Sequence, residues 1–441
     1  MKKNKTILLS LTILFTIFGI TDCVRKKDTK TKLVLYMAWS NATDPNKSVI
    51  RNLVSRFEKE HPAYTVQVSE MNRQNWGKIL SMIGSGEQID LFELSPAYVY
   101  QFYKKGVIHD LTEFFLNNSD ISLNDFYPRI RQLMEIDGKI MVFPKGCQTS
   151  GIFYNQDMFN HYGLPVPDDN FTWEMCFSAA KKITGIAAGK GEKIYGLGGN
   201  PLASYFIGSG YTMPVSCLFP VNQERKKMLV DDPEVMQKAQ YIYDRAFLQD
   251  KVCPSPQDLQ DTSVPDLFMS QKIAMDIKPA YQQAVYAREI AAKFNWDCAP
   301  VPRNAQGERI CDFYSHCWIM SAYTKYPDAA WELMKTIGGY EGAKKFVSRG
   351  IDLPIYPRQD ITDAYLKNYP MPPGKKIFLD AISYITVRPF YQAEIQGMRE
   401  LNNEVSHAIL KEKQVIPVLK LYQKRYQKCL DDFREEYFTS E

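Results

Sequence analysis

The 441-residue chain has no CxxC pair and no cysteine and histidine spacing suited to zinc; its nine cysteines and five histidines are scattered, from Cys23 to Cys429 and from His61 to His407. That pattern argues against a structural metal and against a disulfide scaffold, and leaves buried thiols as the ordinary reading for most of the cysteines. There is also no block of like charge. The formal net charge is +4, half of it from Lys2, Lys3 and Lys5 less Asp22, so nucleic acid is not an implied partner. Phosphate loop, nucleophile elbow and metal-binding histidine pair are all missing. No two carboxylates stand out as the pair that glycoside hydrolysis requires, although such a pair can lie far apart in sequence. No cofactor, internal repeat or low-complexity segment is expected.

What is present begins with an address. Lys2, Lys3 and Lys5 precede the apolar stretch Ile7 to Ile20, which is too short to span a bilayer comfortably and has the layout of an export signal. Residues 1–22 are therefore expected to be a signal peptide. Ile20-Thr21-Asp22-Cys23 resembles the lipobox of bacterial lipoproteins, with Asp22 where that motif has Gly, Ala or Ser. The resemblance implies lipid attachment at Cys23, with residues 23–32 as anchor and tether; a soluble secreted form is the alternative.

Beyond the tether the chain alternates. Leu33 to Met37 reads as a buried strand, a helix opens at Asp44-Pro45 and stops at His61-Pro62, and Tyr64 to Val68 is a second strand. An amphipathic stretch through Trp76, Ile79, Leu80 and Ile83 leads to a third strand, Ile89 to Leu94. This β-α-β-α-β order predicts an α/β fold with a mainly parallel sheet. The apolar run Ile140 to Phe143 is broken by Pro144-Lys145-Gly146 and resumes at Ile152, as where a chain crosses between lobes. Strands are further expected at Ile194 to Leu197, Ile273 to Ile277 and Trp318 to Ser321, and helix formers dominate from Ala381 to Phe438.

Four blocks occur in one order: Asp90-Leu91-Phe92; Tyr154-Asn155 with Met158-Phe159, Tyr162 to Pro167 and Phe171-Thr172-Trp173-Glu174; Ile273-Ala274-Met275 after Met269 to Lys272; and Ala329-Ala330-Trp331-Glu332-Leu333. Together they resemble the extracellular solute-binding proteins of bacterial ABC importers, in the cluster that holds the maltose-type sugar binders, over nearly the whole mature chain. Thr172 can cap a helix carrying Glu174 in its first turn. The resemblance implies a two-lobed periplasmic-binding-protein-like fold of type II, with the ligand cleft between lobes joined by a hinge. Lobe 1 is expected at 33–143 plus 273–313 and lobe 2 at 144–272 plus 314–441. It also implies capture of a sugar or oligosaccharide by hinge closure and delivery to permease subunits, by a monomer held to the membrane through its lipid.

Sugars present apolar C–H faces and a ring of hydroxyls, so their pockets combine aromatic platforms with a few fixed polar groups. In open sheets such groups sit beyond the carboxyl ends of strands. Trp39 is the first candidate platform, or else it covers the end of the core; Ser40 and Asn41 accompany it. Tyr98 begins the helix after the third strand, and Tyr281 follows Pro279 at a position where the family often carries a stacking aromatic. Gln148 lies just beyond the first crossing, facing either solute or solvent. Asn200 and Tyr205 follow the strand at Ile194, with core packing an equal reading for Tyr205. Glu93, Ser95 and Arg388 are placed near pocket rims, a surface role being their commoner fate. Where the family has small glycines, this chain has Tyr314-Ser315-His316-Cys317. His316 therefore either bonds the solute or is an ordinary half-buried histidine. The rival readings are an exported carbohydrate-active enzyme, a same-fold receptor for a sensor kinase, and a binder of polyamine or metal chelate.

Overall fold

The computed structural model describes residues 30–39, 46–72, 75–199, 227, 229, 232–260, 266–350, 352–368, 371–385, 403–404, 406–411 and 413–438. Its strands are β1 Thr31–Trp39, β2 Tyr64–Asn72, β3 Leu91–Leu94, β4 Glu135–Ile136, β5 Lys139–Ile140, β6 Phe143–Pro144, β7 Gln148–Asn155, β8 Tyr195–Gly198, β9 Ile273–Pro279, β10 Trp296–Pro300, β11 Phe313–Tyr314 and β12 Cys317–Met320. They form two five-stranded sheets and one small ribbon, β4 with β5.

The first sheet has the order β2-β1-β3-β12-β6. β1 runs parallel to β2 and β3, while β12 is antiparallel to both β3 and β6. Leu33, Val34 and Leu35 are all buried, as expected of a strand covered on both faces. The helix Asn46–Glu60 places Val49, Ile50, Leu53, Val54 and Phe57 inward at helical spacing.

The second sheet has the order β10-β7-β9-β8, with β11 pairing the start of β7. Its side chains divide with the strand period of two: Ile152, Tyr154 and Ile277 enter one core, whereas Phe153, Trp296 and Cys298 enter the other. The helix Trp173–Gly189 packs on it so closely that a Cβ on Gly196 would lie 2.2 Å from Ala180 Cα. Thr172 caps that helix through its side chain, accepting from the Met175 amide.

Sheet membership redraws the expected lobe boundaries. Residues 273–313, assigned to lobe 1, contribute β9, β10 and β11 to the second sheet; β12, assigned to lobe 2, is central in the first. The pairings are the reason: β9 runs parallel to β8 and antiparallel to β7, which places it in the middle of the second sheet.

The chain passes between the sheets at Lys145–Cys147, between β6 and β7, and again at Ser315–His316, between β11 and β12. These crossings lie side by side. Lys145 N donates to His316 O at 2.9 Å, and the Ser315 hydroxyl donates to Gly146 O. A third segment joins them where Leu353 exchanges two backbone hydrogen bonds with Cys147. Gly146 permits this approach, because a Cβ there would lie 2.8 Å from Asp352 Cβ.

Candidate functional site

The two crossings bring the carboxyl end of β3 next to the start of β7 and, through Gln148, the carboxyl end of β9. Tyr314 stands opposite Gln148 in the β11–β7 pairing, and its hydroxyl lies 3.5 Å from Ser95 Oγ just beyond β3, so groups from both sheets meet there.

On the first-sheet side, His316 is the centre. Its Nε2 lies 3.0 Å from the Tyr314 hydroxyl, whose oxygen is 3.5 Å from Ser95 Oγ. The Trp76 ring packs on His316 at 5.8 Å between centroids and on Tyr98 at 6.4 Å. Beneath them lies Glu93. Its Oε1 accepts from Lys145 Nζ at 3.0 Å and faces His316 Nδ1 at 3.2 Å, while Oε2 accepts from the Ala38 amide at 3.3 Å. The Lys145 ammonium also sits 5.3 Å from the ring centroids of Trp318 and Phe346.

Glu93 therefore departs from the expected rim position. It is 0% exposed and lies at the base of the crossings, where it pairs with Lys145. Ser95 is buried at the start of the helix Pro96–Lys104. Tyr98 and His316 are half-buried.

On the second-sheet side, Gln148 uses both ends of its amide. Oε1 accepts from the Tyr281 backbone N–H at 3.0 Å, and Nε2 donates to Asp352 Oδ1 at 3.2 Å. Tyr281 follows β9 at its carboxyl end and is 44% exposed.

Trp39 ends β1 as expected, but its side chain, together with Ser40, Asn41, Asn200, Tyr205, Arg388 and Cys23, lies outside the described residues. The structure adds Trp76, Tyr314, Lys145 and Asp352. The only forewarning was the bulky run at Tyr314–Cys317 and the interruption at Pro144–Gly146; nothing in the sequence tied Trp76 to His316.

Chemically the arrangement is one of hydrogen-bonding groups and rings. The buried thiols among the described residues include Cys147, Cys311 and Cys317 near the crossings. Burial, with Glu93 adding to it, pushes the Cys317 thiol up to about 12, and burial raises Cys147 and Cys311 well above the usual range. These sulfurs stay protonated and are poor nucleophiles. Among the described residues no three His, Cys, Asp or Glu side chains converge as metal ligands, and no helix is long and apolar enough to cross a membrane. A cavity of about 570 Å³ lies elsewhere in the second lobe, between Thr172–Phe177, Tyr241 and Arg303–Ile310, and none of the anticipated site residues lines it.

Two sheets, each backed by its own helices and joined by adjacent crossings with rings and polar groups gathered at the strand ends, define a two-lobed binding protein. The chain belongs to the bacterial extracellular solute-binding protein family, whose profile matches residues 40–344. It is 26% identical over 285 residues to YcjN of Escherichia coli K12, which carries the name of an ABC transporter periplasmic-binding protein; the match spans 64% of this chain and 62% of YcjN. Among solved structures it resembles the ABC substrate-binding protein Lmo0181 of Listeria monocytogenes, in complex with cycloalternan, with a TM-score of 0.75 and 22% identity over 91% of this chain and 99% of that one. The sugar-binding protein MalE of Xanthomonas citri follows with a TM-score of 0.74 and 15% identity, covering 93% and 100%.

Proposed function

We propose that this protein is the solute-capturing subunit of an ABC importer, that its solute is a sugar or oligosaccharide, and that capture proceeds by closure of the two lobes about the crossings at Lys145–Cys147 and Ser315–His316. The observation that carries this reading is a run of contacts that joins the two sheets: Tyr98 and His316 pack on Trp76, Tyr314 meets His316 and Ser95, and Gln148, opposite Tyr314, holds the backbone of the exposed Tyr281. A solute touching both sides binds the closed state better and shifts the population toward it. Rings with hydroxyl and amide partners suit a polyol better than a polyamine, which would call for accessible carboxylates, and Glu93 is withdrawn from that role. The sugar-binding name of the Xanthomonas neighbour agrees with this.

Export follows from the family's extracellular character. Lipid attachment at Cys23, partnership with permease subunits, a monomeric state and the lack of catalysis belong to the same proposal. The test is a thermal-shift screen of the chain from residue 24 onward against mono- and oligosaccharides, with polyamines and amino acids as controls. A saturable shift with a sugar recovered unchanged supports the reading. Shifts confined to non-sugars sink the sugar assignment, and cleavage of the sugar would favour the enzyme.

A further inference from the structure

The cavity of about 570 Å³ in the second lobe has two unlike walls. One is aromatic. Trp173 and Phe177, 6.1 Å apart between ring centroids, come from the start of the helix Trp173–Gly189, and Tyr241 comes from the helix Pro233–Tyr243. The two helices are tied together here, because Glu174 accepts from the Tyr241 hydroxyl at 2.7 Å and pairs with Arg245, whose guanidinium lies 4.5 Å from the Tyr241 ring centroid. Tyr241 is still 39% exposed.

The other wall is the polar loop from Asn304 to Glu308. Asn304 is 8% exposed, and its Oδ1 accepts from the Gln306 amide at 3.0 Å and the Glu308 amide at 2.9 Å, which folds the loop back on itself. Arg303 holds it from below, donating to Gly307 O at 2.8 Å and to Asp169 Oδ2 at 3.0 Å. Shaping the loop uses only the carbonyl end of the Asn304 side chain. Its Nδ2, the Gln306 side-chain amide and the Glu308 carboxylate have no hydrogen-bond or ion-pair partner among the described residues. A rigid loop thus sets a donor, an amide and an acceptor at the cavity without using them in the fold, the preorganised arrangement that ligand binding favours.

The charges narrow the ligand class. Lys238 and Arg303 are the cations on the walls, and each is already paired, with Glu234 and Asp169. Three carboxylates line the cavity, so an anion is disfavoured, and two of them, Glu174 and Glu234, carry their own cations, so a polycation gains little. A neutral sugar suits both walls: its C–H faces lie on rings, and its hydroxyls accept from an amide and donate to a carboxylate. The volume falls within the ~300–1,000 Å³ of small-molecule sites.

We propose that this cavity is a second carbohydrate site, apart from the crossings, which seats a neutral sugar residue between the rings and the loop, with Asn304 Nδ2 donating to one hydroxyl and Glu308 accepting from another. It does not depend on the crossings being the solute site.

The test reads the cavity wall directly. Indole N–H spectra of the protein used in the thermal-shift screen resolve six tryptophans at most, and Trp173→Phe assigns the signal of interest. The probes are glucose, galactose, mannose, maltose and maltotriose, with spermidine and sulfate as charged controls. The expected result is a saturable Trp173 shift with at least one of these sugars. Gln306→Ala combined with Glu308→Ala should weaken that response roughly tenfold or more and leave the unfolding midpoint unchanged, since both side chains are exposed and without partners among the described residues. Tyr281→Ala should leave the Trp173 response in place, so loss of the crossings' site and loss of this one are read separately. A Trp173 signal indifferent to all five sugars overturns the assignment, as does a response unchanged in the double variant or matched by spermidine or sulfate. A response abolished by Tyr281→Ala also overturns it, because Trp173 would then be reporting capture at the crossings.

Discussion

Asp276 is a buried carboxylate whose cost can be measured. It lies on β9 beneath the helix Gln282–Glu289 and is 2% exposed. Oδ2 accepts from the Tyr286 hydroxyl at 3.1 Å and lies 3.7 Å from Lys278 Nζ, while Oδ1 has no hydrogen-bond partner among the described residues. Burial raises this carboxyl from 3.8 to about 6, with Lys278 opposing and Asp266 adding to the rise. At 1.36 kcal/mol per unit that rise corresponds to ~3 kcal/mol. Below about pH 4 the side chain is neutral in folded and unfolded chains and the cost is absent. Between about 4 and 6 the unfolded chain releases its proton first, so the folded state binds more protons and stability falls as pH rises. Above that window the full cost is carried. Asp276→Asn keeps the shape and removes the titration. Urea unfolding of both proteins at steps from about pH 4 to about pH 8 should show the difference in unfolding free energy, variant minus parent, growing by ~3 kcal/mol across the window. Parallel curves would refute the argument, because they would mean that the carboxylate finds solvation in the folded state.

Three further outcomes follow from particular contacts. Lys145→Met should cost about 3–5 kcal/mol by leaving Glu93 charged and buried without its partner, and Glu93→Met with Lys145→Met should cost less than Lys145→Met alone; equal losses in thermal unfolding would contradict the pairing. Tyr281→Ala should leave stability within ~0.5 kcal/mol, since the residue is 44% exposed, yet weaken binding of a sugar found in the screen roughly tenfold or more, about 1.4 kcal/mol; unchanged titration calorimetry would remove Tyr281 from the site. Gly196→Ala should destabilise by about 1–3 kcal/mol, because the added methyl meets Ala180 backbone, and a neutral result in denaturant titration would show that the helix Trp173–Gly189 can give way.

The order of the elements was legible because hydrophobic period and turn residues are local properties. β1, β2 and the helix Asn46–Glu60 follow the apolar spacing and the stop at His61-Pro62, and Thr172 caps its helix as its position before Trp173 implies. The interruption at Pro144–Gly146 marks a passage between sheets for an equally local reason: proline cannot donate to a ladder, and glycine admits Asp352 close by. The sequence by itself thus determined the class of fold and the family. The tertiary structure decided which sheet each later strand joins, because residues 273–313 choose partners across space and not by neighbourhood along the chain. It also decided the fates of individual polar groups. Glu93 and Gln148 read alike as pocket candidates, yet one is sealed under Lys145 and the other braces Tyr281 and Asp352. Those outcomes depend on contacts between residues 52, 133 and 204 positions apart, respectively, and the desolvation and pairing energies that fix them exist only once the chain has closed.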